Sequence, residues 1–176
     1  MSTLTASVPR DANRVPLTRY GVQVTKAFSL TANGTVTSAI FTVTGTVNVR
    51  ALWGVVTTAL GSNVTAAYWR LNDATNQSNI SLNTGTTLSS AGIGSSLVRL
   101  SVAGVALTLN DNSQERVMDP VAATAPDVFM PFVVVQKTGT TTNIEFCYAT
   151  NNTSLGAITF YCNFYPISSD GNISAV

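Results

Sequence analysis

The chain has 176 residues, of which 45% are hydrophobic and only 10% are charged, and its formal net charge is +1. An average globular domain carries about 25% charged residues, so Thr, Ser and Asn, which fill about a third of this sequence, must supply the polar surface. No run approaches the ~20 consecutive apolar residues that span a bilayer as a helix. A net charge near zero is too small to hold nucleic acid by phosphate neutralisation. We therefore expect one domain that binds neither membrane nor nucleic acid.

The first 20 residues differ from the rest of the chain and are predicted to form an extended arm ahead of a single domain at 21–176. Pro9 and Pro16 disfavour helix in their neighbourhood, and the segment shows no apolar periodicity. It carries three of the nine basic residues, Arg10, Arg14 and Arg19. A frayed terminus is the alternative. The opening has no apolar core of a signal peptide, so we expect folding in a cytoplasm.

Alternation with a period of two residues begins at Gly21 and predicts strands. One face of the first strand is expected to hold Val22, Val24, Phe28 and Leu30. Asn33-Gly34 then predicts a hairpin turn into the second strand. In that second strand the apolar face switches between Ser38 and Ile40, which indicates a β-bulge.

The third run, from residue 47, is predicted to place Trp53 in the core. Its apparent apolar face consists of Val47, Val49, Ala51, Trp53 and Val55. After a turn at 61–63 a fourth strand follows, and 73–96 is predicted to be a long loop with a short strand at Ile80–Leu82. Short strands are then expected at Leu97–Val102 and Val105–Leu109.

The C-terminal third contains one edge strand and one hairpin in this interpretation. Pro131 places the strand around it at a sheet edge or bulge, because Pro has no backbone donor. The runs TNIEFCYAT and AITFYCNFY are predicted to form the last hairpin. No segment of length fits a helical period, so the sequence predicts an all-β domain, a β-sandwich with jelly-roll topology.

The titratable residues give little basis for catalysis. The chain has no histidine, which removes His-based triads and His metal sites. Two acids suffice for a glycosidase, and Glu145 and Asp119 are the candidates for that alternative. The acidic loop around Asp111 and Glu115 lacks the spacing of a calcium-binding hand. We expect no catalytic residue, no metal and no cofactor.

Aromatic side chains offer one candidate ligand surface. Tyr68, Trp69 and Arg70, together with Trp53, have the chemistry to stack against a sugar or peptide. Core packing is the expected role of both Trp53 and Trp69, and ligand stacking is the alternative. Cys147 and Cys162 lie almost symmetrically about the last predicted turn, and in a reducing compartment they are expected to be free thiols.

Two short segments carry a resemblance to small structural proteins of tailed bacteriophages. The opening VPRDANRVPL resembles an Arg-Asp-x-Asn-x-x-Pro opening of such proteins, matched by Arg10, Asp11, Asn13 and Pro16, with Arg14 where His is usual. The ending resembles a closing strand of the same group, and its matching residues are Gly156, Tyr165, Pro166, Ile167 and Ser168. Together the two segments cover about thirty residues.

This resemblance implies a virion protein of the capsid decoration or cement type, placed on the outer surface of the head. Proteins of this type are often homotrimers, and their partner is the major capsid protein. Residues of the arm, Arg10, Asp11, Arg14 and Arg19, are then expected to contact the capsid shell. The alternative is a glycan-binding receptor module at a tail tip or fibre, built on Tyr68, Trp69 and the 73–96 loop.

Overall fold

A computed structural model describes residues 21–30, 33–73, 78–99, 108–110, 131–136, 139–151 and 156–176. Within these residues the regular structure consists of strands. They are β1 (Val22–Ser29), β2 (Gly34–Thr44), β3 (Thr46–Thr58), β4 (Thr65–Asp73), β5 (Ser78–Ser81), β6 (Ser96–Val98), β7 (Thr108–Asn110), β8 (Phe132–Val135), β9 (Thr142–Thr150), β10 (Ala157–Pro166) and β11 (Asn172–Ala175). The arm at 1–20 and the acidic loop residues 111–130 lie outside the described residues.

The strands form two antiparallel sheets that pack face to face as a β-sandwich. Sheet I has the order β1-β10-β3-β6-β7. Its remaining strand, β8, pairs with residues 46–49 of β3, whereas β6 pairs with residues 53–55 of the same strand. Sheet II has the order β11-β2-β9-β4-β5. The predicted all-β sandwich is confirmed.

Both predicted hairpins are wrong, because each turn carries the chain from one sheet to the other. The strand before Asn33-Gly34 pairs with β10 in sheet I, whereas the strand after it pairs with β9 in sheet II. The last two long strands are separated in the same way, β9 lying in sheet II and β10 in sheet I. A tight turn reverses the chain locally, but burial of an apolar face on each strand decides which sheet that strand joins.

The predicted core position of Trp53 is also wrong. Val47 and Val49 point into the core, but β3 contains an irregularity opposite Asn163 and Phe164 that adds one residue. Leu52, Gly54 and Val56 are buried beyond it, while Trp53 is half-buried on the outer face. A one-residue shift moves every following side chain to the opposite face. The bulge predicted in β2 is confirmed between Ala39 and Phe41.

Other local predictions agree with the structure. The short strand expected at Ile80–Leu82 corresponds to β5, and residues 82–95 are mostly irregular. Pro131 directly precedes β8, whose pairing among the described residues is with β3. The long loop is anchored by Asn83, whose side-chain oxygen accepts the backbone N–H of Trp69 at 2.9 Å.

Aromatic rings from both sheets meet at the centre of the core. Phe146 on β9 and Phe160 on β10 have ring centroids 4.8 Å apart, and both side chains are fully buried. Trp69 packs against both rings at 6.0 and 6.1 Å, and Phe28 closes the cluster from the edge strand β1. Because β9 and β10 are interior strands of their sheets, this cluster joins the two sheets at their middle.

Replacing Phe160 by Ala is therefore expected to lower the free energy of unfolding by about 3–5 kcal/mol, since a large cavity would open between the sheets. Thr159→Ala, one residue earlier and facing outward, is the control and is expected to cost about 1 kcal/mol or less. Urea denaturation of both variants measures the difference. Equal losses would contradict this description of the core.

Candidate functional site: the two outer faces of the sandwich

The outer face of sheet II is built from three rows of outward side chains on β2, β9 and β4. The register aligns Thr37, Cys147 and Tyr68 in one row, Ala39, Glu145 and Arg70 in the next, and Thr42, Asn143 and Asn72 in the third. In each row the β9 residue lies between its neighbours. The face is therefore polar along its centre.

Polar groups on this face are paired with one another. Arg70 Nε donates to Glu145 Oε2 at 2.6 Å, and Asn72 Nδ2 donates to Glu145 Oε1 at 2.8 Å. Thr42 Oγ1 donates to Asn143 Oδ1 at 2.9 Å. The Glu145 side chain is only 7% exposed, so its carboxylate is held by its neighbours rather than by water. Glu145, a glycosidase candidate by sequence, thus has both oxygens engaged in the sheet, and Asp119 lies outside the described residues.

The fold places the residues of the predicted ligand-stacking patch on different surfaces. Trp69 is 0% exposed, so its predicted ligand-stacking role is wrong: successive residues of a strand face opposite sides, and Trp69 points into the core. Tyr68 and Arg70 are half-buried on the outer face of sheet II. Trp53 lies on the outer face of sheet I, which points away from them.

The outer face of sheet I carries a different set of side chains, which we call the aromatic face: Arg50, Trp53, Val133, Val135, Tyr161 and Tyr165. Trp53 and Tyr161 are directly paired across β3 and β10, and their rings stack with centroids 5.0 Å apart at 10°. The Arg50 guanidinium carbon lies 5.9 Å from the centroid of the Tyr165 ring. Val133 and Val135 on β8 are 55% and 64% exposed.

Charge is sparse on the aromatic face. The described outward residues of β1 are Gln23, Thr25, Ala27 and Ser29. Lys26 on the same strand points between the sheets and donates to the backbone oxygen of Val176. Arg50 is thus the one charged side chain among the described outward residues of β1, β10, β3 and β8.

Two amide oxygens on this face lack a hydrogen-bond donor among the described residues. They are Asn48 Oδ1 and Asn163 Oδ1, both buried. Asn48 is paired with Tyr165 on one side and Val133 on the other, and Asn163 lies two residues from both Tyr161 and Tyr165 on β10. A buried acceptor without a donor costs roughly 1–3 kcal/mol of stability, and neither oxygen is accessible from outside the sandwich.

Sequence reasoning missed the aromatic face, although β10 carried its signal. Tyr161, Asn163 and Tyr165 alternate with Phe160, Cys162 and Phe164 along that strand. This pattern makes one side purely apolar and the other side tyrosine-rich. The contribution of Val133 and Val135 depends on β8 pairing with β3, which sequence alone does not give.

Of the two segments that carry the bacteriophage resemblance, the closing one lies within the described residues and the opening one does not. Arg10, Asp11, Arg14 and Arg19 lie outside the described residues. The closing motif builds the passage from β10 to β11: Ile167 donates its N–H to the Thr46 carbonyl at 2.8 Å, and Ser168 Oγ accepts the Thr46 N–H at 2.7 Å. Gly156 has φ +77°, and a Cβ there would lie 2.4 Å from the Ala59 carbonyl oxygen.

Cys147 and Cys162 are free thiols, as predicted, and both are buried. Cys162 points into the core from sheet I, whereas Cys147 belongs to the outer face of sheet II. Burial raises the pKa of both thiols. Thr37 Oγ1 donates to Cys147 Sγ at 3.6 Å, which partly opposes that rise.

In comparisons with known proteins, no family model, no curated protein and no solved structure matches the chain. The described residues contain no helix long and apolar enough to cross a bilayer. They also contain no group of three or more His, Cys, Asp or Glu side chains arranged to hold a metal ion.

Replacing Arg70 by Met is expected to destabilise the fold by about 2–3 kcal/mol, because the nearly buried Glu145 carboxylate would lose its charged donor. Arg50→Met is the matched control, since Arg50 is exposed and contacts a ring rather than a carboxylate, and it is expected to cost less than ~1 kcal/mol. Chemical denaturation at neutral pH compares the two. A larger loss for Arg50→Met would contradict the structural role of the Arg70–Glu145 pair.

The raised thiol pKa values imply that stability falls at alkaline pH. The folded chain keeps both thiols protonated, whereas the unfolded chain releases their protons above about pH 8.5. The free energy of unfolding is therefore expected to decrease above that pH, by up to ~1.4 kcal/mol per pH unit for each thiol. Tyr68, whose pKa is also raised by burial, adds to the decrease above about pH 10.

Urea denaturation with reductant between pH 7 and pH 10 measures this slope. The variant Cys147→Ala/Cys162→Ala is expected to show a shallower decrease above pH 8.5 and an unchanged slope below it. A slope identical to that of the wild type at alkaline pH would show that the thiols do not titrate differently in the two states.

Proposed function

We propose that this chain is a structural, non-catalytic virion protein of a tailed bacteriophage: a decoration or cement protein that binds the outer surface of the head as a homo-oligomer. The observation that carries the proposal is the contrast between the two outer faces. The face of sheet II has its central polar groups paired among themselves. The aromatic face exposes two valines beside stacked aromatic rings, and its cation, Arg50, lies over the Tyr165 ring.

The aromatic face has the composition of a protein-binding surface. Tyr, Trp and Arg are the side chains enriched at interfaces and at the positions that contribute most to binding. Exposed aliphatic side chains beside aromatic ones mark a surface that another molecule covers. A protein whose role is to pack against a shell needs such a face.

The surface chemistry of the rest of the chain supports the same role. With 10% charged residues, few groups carry the high desolvation cost of an isolated charge when a neighbour covers them. Thr, Ser and Asn satisfy their hydrogen bonds equally well with water or with a protein neighbour. This suits a subunit that is surrounded by other subunits on a particle.

The strand order supports a jelly roll, which we propose as the finer description of the sandwich. In sheet I the N-terminal strands β1 and β3 flank β10, and in sheet II β2 and β4 flank β9. This interleaving of early and late strands in both sheets arises when one long antiparallel pair is folded across two sheets, as in paired Greek keys.

The arm and the oligomer number rest on the resemblance stated above. We propose that Arg10, Asp11, Arg14 and Arg19 contact acidic and basic groups of the major capsid protein, and that the oligomer is a trimer on the capsid surface. The protein would fold in the host cytoplasm and then join the particle. An extended arm adds contact area at little cost in sequence.

The alternative, a glycan-binding module at a tail tip, was predicted to use a sugar-stacking patch of aromatic side chains, but these side chains do not lie together. Trp69 is in the core, and Tyr68 and Trp53 face opposite directions. The decoration proposal is therefore the stronger of the two. Copy number still separates them, because a decorated head carries many copies and a tail tip carries few.

Immunogold labelling of purified particles with an antibody to this chain tests the proposal. Gold distributed over the whole head is the expected result. Gold confined to the tail or to one vertex would favour the receptor-binding module. Absence of gold from the particles would contradict a virion role.

A second experiment tests the arm. Arg10→Ala/Arg14→Ala/Arg19→Ala is expected to weaken binding to heads that lack the protein and to reduce the salt dependence of binding, since three charge contacts are lost. Lys26→Ala, which removes a charge that lies outside the arm and donates to the backbone oxygen of Val176, is the control for loss of a cation elsewhere in the chain. Unchanged binding after removal of residues 2–19 would rule the arm out as a contact.

A further inference from the structure

The edge of β8 that points away from β3, which we call the β8 edge, carries unpaired backbone groups. Gln136 donates its backbone N–H to the Gly45 carbonyl at 2.8 Å. Residues of an antiparallel pair alternate between positions that bond to the partner strand and positions that do not. The register therefore directs the N–H and C=O of Val134 toward β3, and those of Val133 and Val135 toward the β8 edge.

The partner strand agrees with this assignment. Thr46 on β3 lies opposite Val135 in the register. Its carbonyl accepts the N–H of Ile167 at 2.8 Å, and its own N–H donates to Ser168 Oγ at 2.7 Å. Both backbone groups of Thr46 thus point away from β8. Within the described residues, no strand pairs with the β8 edge.

The unpaired groups determine what chemistry covers this edge. An extended strand satisfies two N–H and two C=O groups at once, which is recognition by strand addition. Residues 132–135 contain none of the charges or prolines that keep added strands away from an edge. Val133 and Val135 also expose their side chains. The covering strand should therefore be uncharged and carry apolar side chains at alternate positions.

The outline of sheet I leaves a place for one short strand. β8 pairs with residues 46–49 of β3, whereas β6 pairs with residues 53–55 and carries β7 on its other side. One end of the sheet is thus one strand wider than the end that contains β8. A single strand added to β8 lies in line with β7, whereas the edge of a second folded copy would meet the projecting β7 first.

We propose that residues 2–8 of the same chain add to the β8 edge as an antiparallel strand. Their sequence is STLTASV, in which Leu4, Ala6 and Val8 alternate with hydroxyl side chains. The segment has no charge and is followed by Pro9, which cannot continue the ladder. It thus has the alternation and the neutrality that the edge requires. Side chains of one row would pack beside the exposed valines of β8.

The chain is long enough for this return. Phe164 on β10 lies between Val22 on β1 and Val49 on β3, so the three residues form one row. Val49 is in turn opposite Phe132 on β8. Four strand spacings of ~4.8 Å, about 19 Å in all, separate the start of β1 from a strand added to β8. Residues 9–20 span up to ~40 Å when extended, which covers this distance even along a diagonal.

Strand addition would also position the basic part of the arm. Residues 9–20 would cross the outer side of sheet I, because the hydrophobic core fills the inner side. They include Arg10, Arg14 and Arg19, which would then lie on the same side of the sandwich as the aromatic face. Strand addition itself goes beyond the proposed function and does not depend on it, because it takes place within the isolated chain.

Hydrogen exchange of the β8 amides, followed by NMR on the isolated full chain, tests this proposal. The amides of Val133 and Val135 are expected to exchange slowly, because the added strand accepts their hydrogen bonds. Replacing residues 2–8 by a Gly-Ser sequence of equal length is expected to make both amides exchange at least ~10-fold faster. The Val134 amide, which points toward β3, is the internal control and is expected to remain slow in both chains.

Arg10→Ala/Arg14→Ala/Arg19→Ala is the matched control, because it changes the arm outside residues 2–8 and is expected to keep both amides slow. Fast exchange of both amides in the full chain would overturn the proposal, since the edge would be open. Slow exchange that persists after the Gly-Ser replacement would overturn it as well, since another segment would cover the edge.

Dilution identifies the source of the added strand. Slow exchange that is independent of protein concentration supports donation within one chain. Slow exchange that is lost on dilution would overturn it, because the strand would come from a second copy. Since no phage particle takes part in these measurements, the proposed function is decided separately by the immunogold labelling.

Discussion

The contact between Phe146 and Phe160 is the interaction on which the rest of this structure depends. It joins the middle strand of one sheet to an interior strand of the other at a centroid distance of 4.8 Å, and Trp69, Phe28 and Tyr148 pack around it. Once these rings face inward, alternation along β9 and β10 fixes what faces outward. Glu145 and Cys147 must lie on one outer surface, and Tyr161, Asn163 and Tyr165 on the other.

The core thus determines which side chains lie on each outer surface, and the two surfaces differ in their chemistry. On sheet II, the carboxylate of Glu145 is bound by Arg70 and Asn72, so that this surface needs nothing further to satisfy its central charges. On sheet I, the Trp53 and Tyr161 rings stack on each other, and the valines of β8 are exposed to solvent. Our proposal of a structural role rests on this difference, because exposed aliphatic and aromatic side chains are typical of surfaces that bind other proteins.

Composition and alternation were enough to predict the β-sandwich, the bulge in β2 and the short strand β5. They did not predict features that depend on which strands pair over long distances in the chain. Asn33-Gly34 signals a reversal of the chain, but the sequence does not say that the next strand crosses to another sheet. The misplacement of Trp53 has a similar cause, because the extra residue in β3 exchanges the two faces halfway along the strand.

The candidate surface shows the same limit. Tyr68, Trp69 and Arg70 looked like one patch because they are adjacent in sequence, yet adjacent residues of a strand point in opposite directions. The aromatic face assembles residues from β3, β8 and β10 that are far apart in the chain. The sequence signal for this face was the alternation of tyrosines with buried residues in β10.

Cryo-electron microscopy of purified phage heads carrying this chain would test the central claim most directly, namely that the aromatic face is the surface used in assembly. We expect density for the sandwich on the head surface, with Trp53, Tyr161 and Val135 covered by protein and the Arg70–Glu145 side open to solvent. Density in which the aromatic face is bare and the face of sheet II is buried would contradict it.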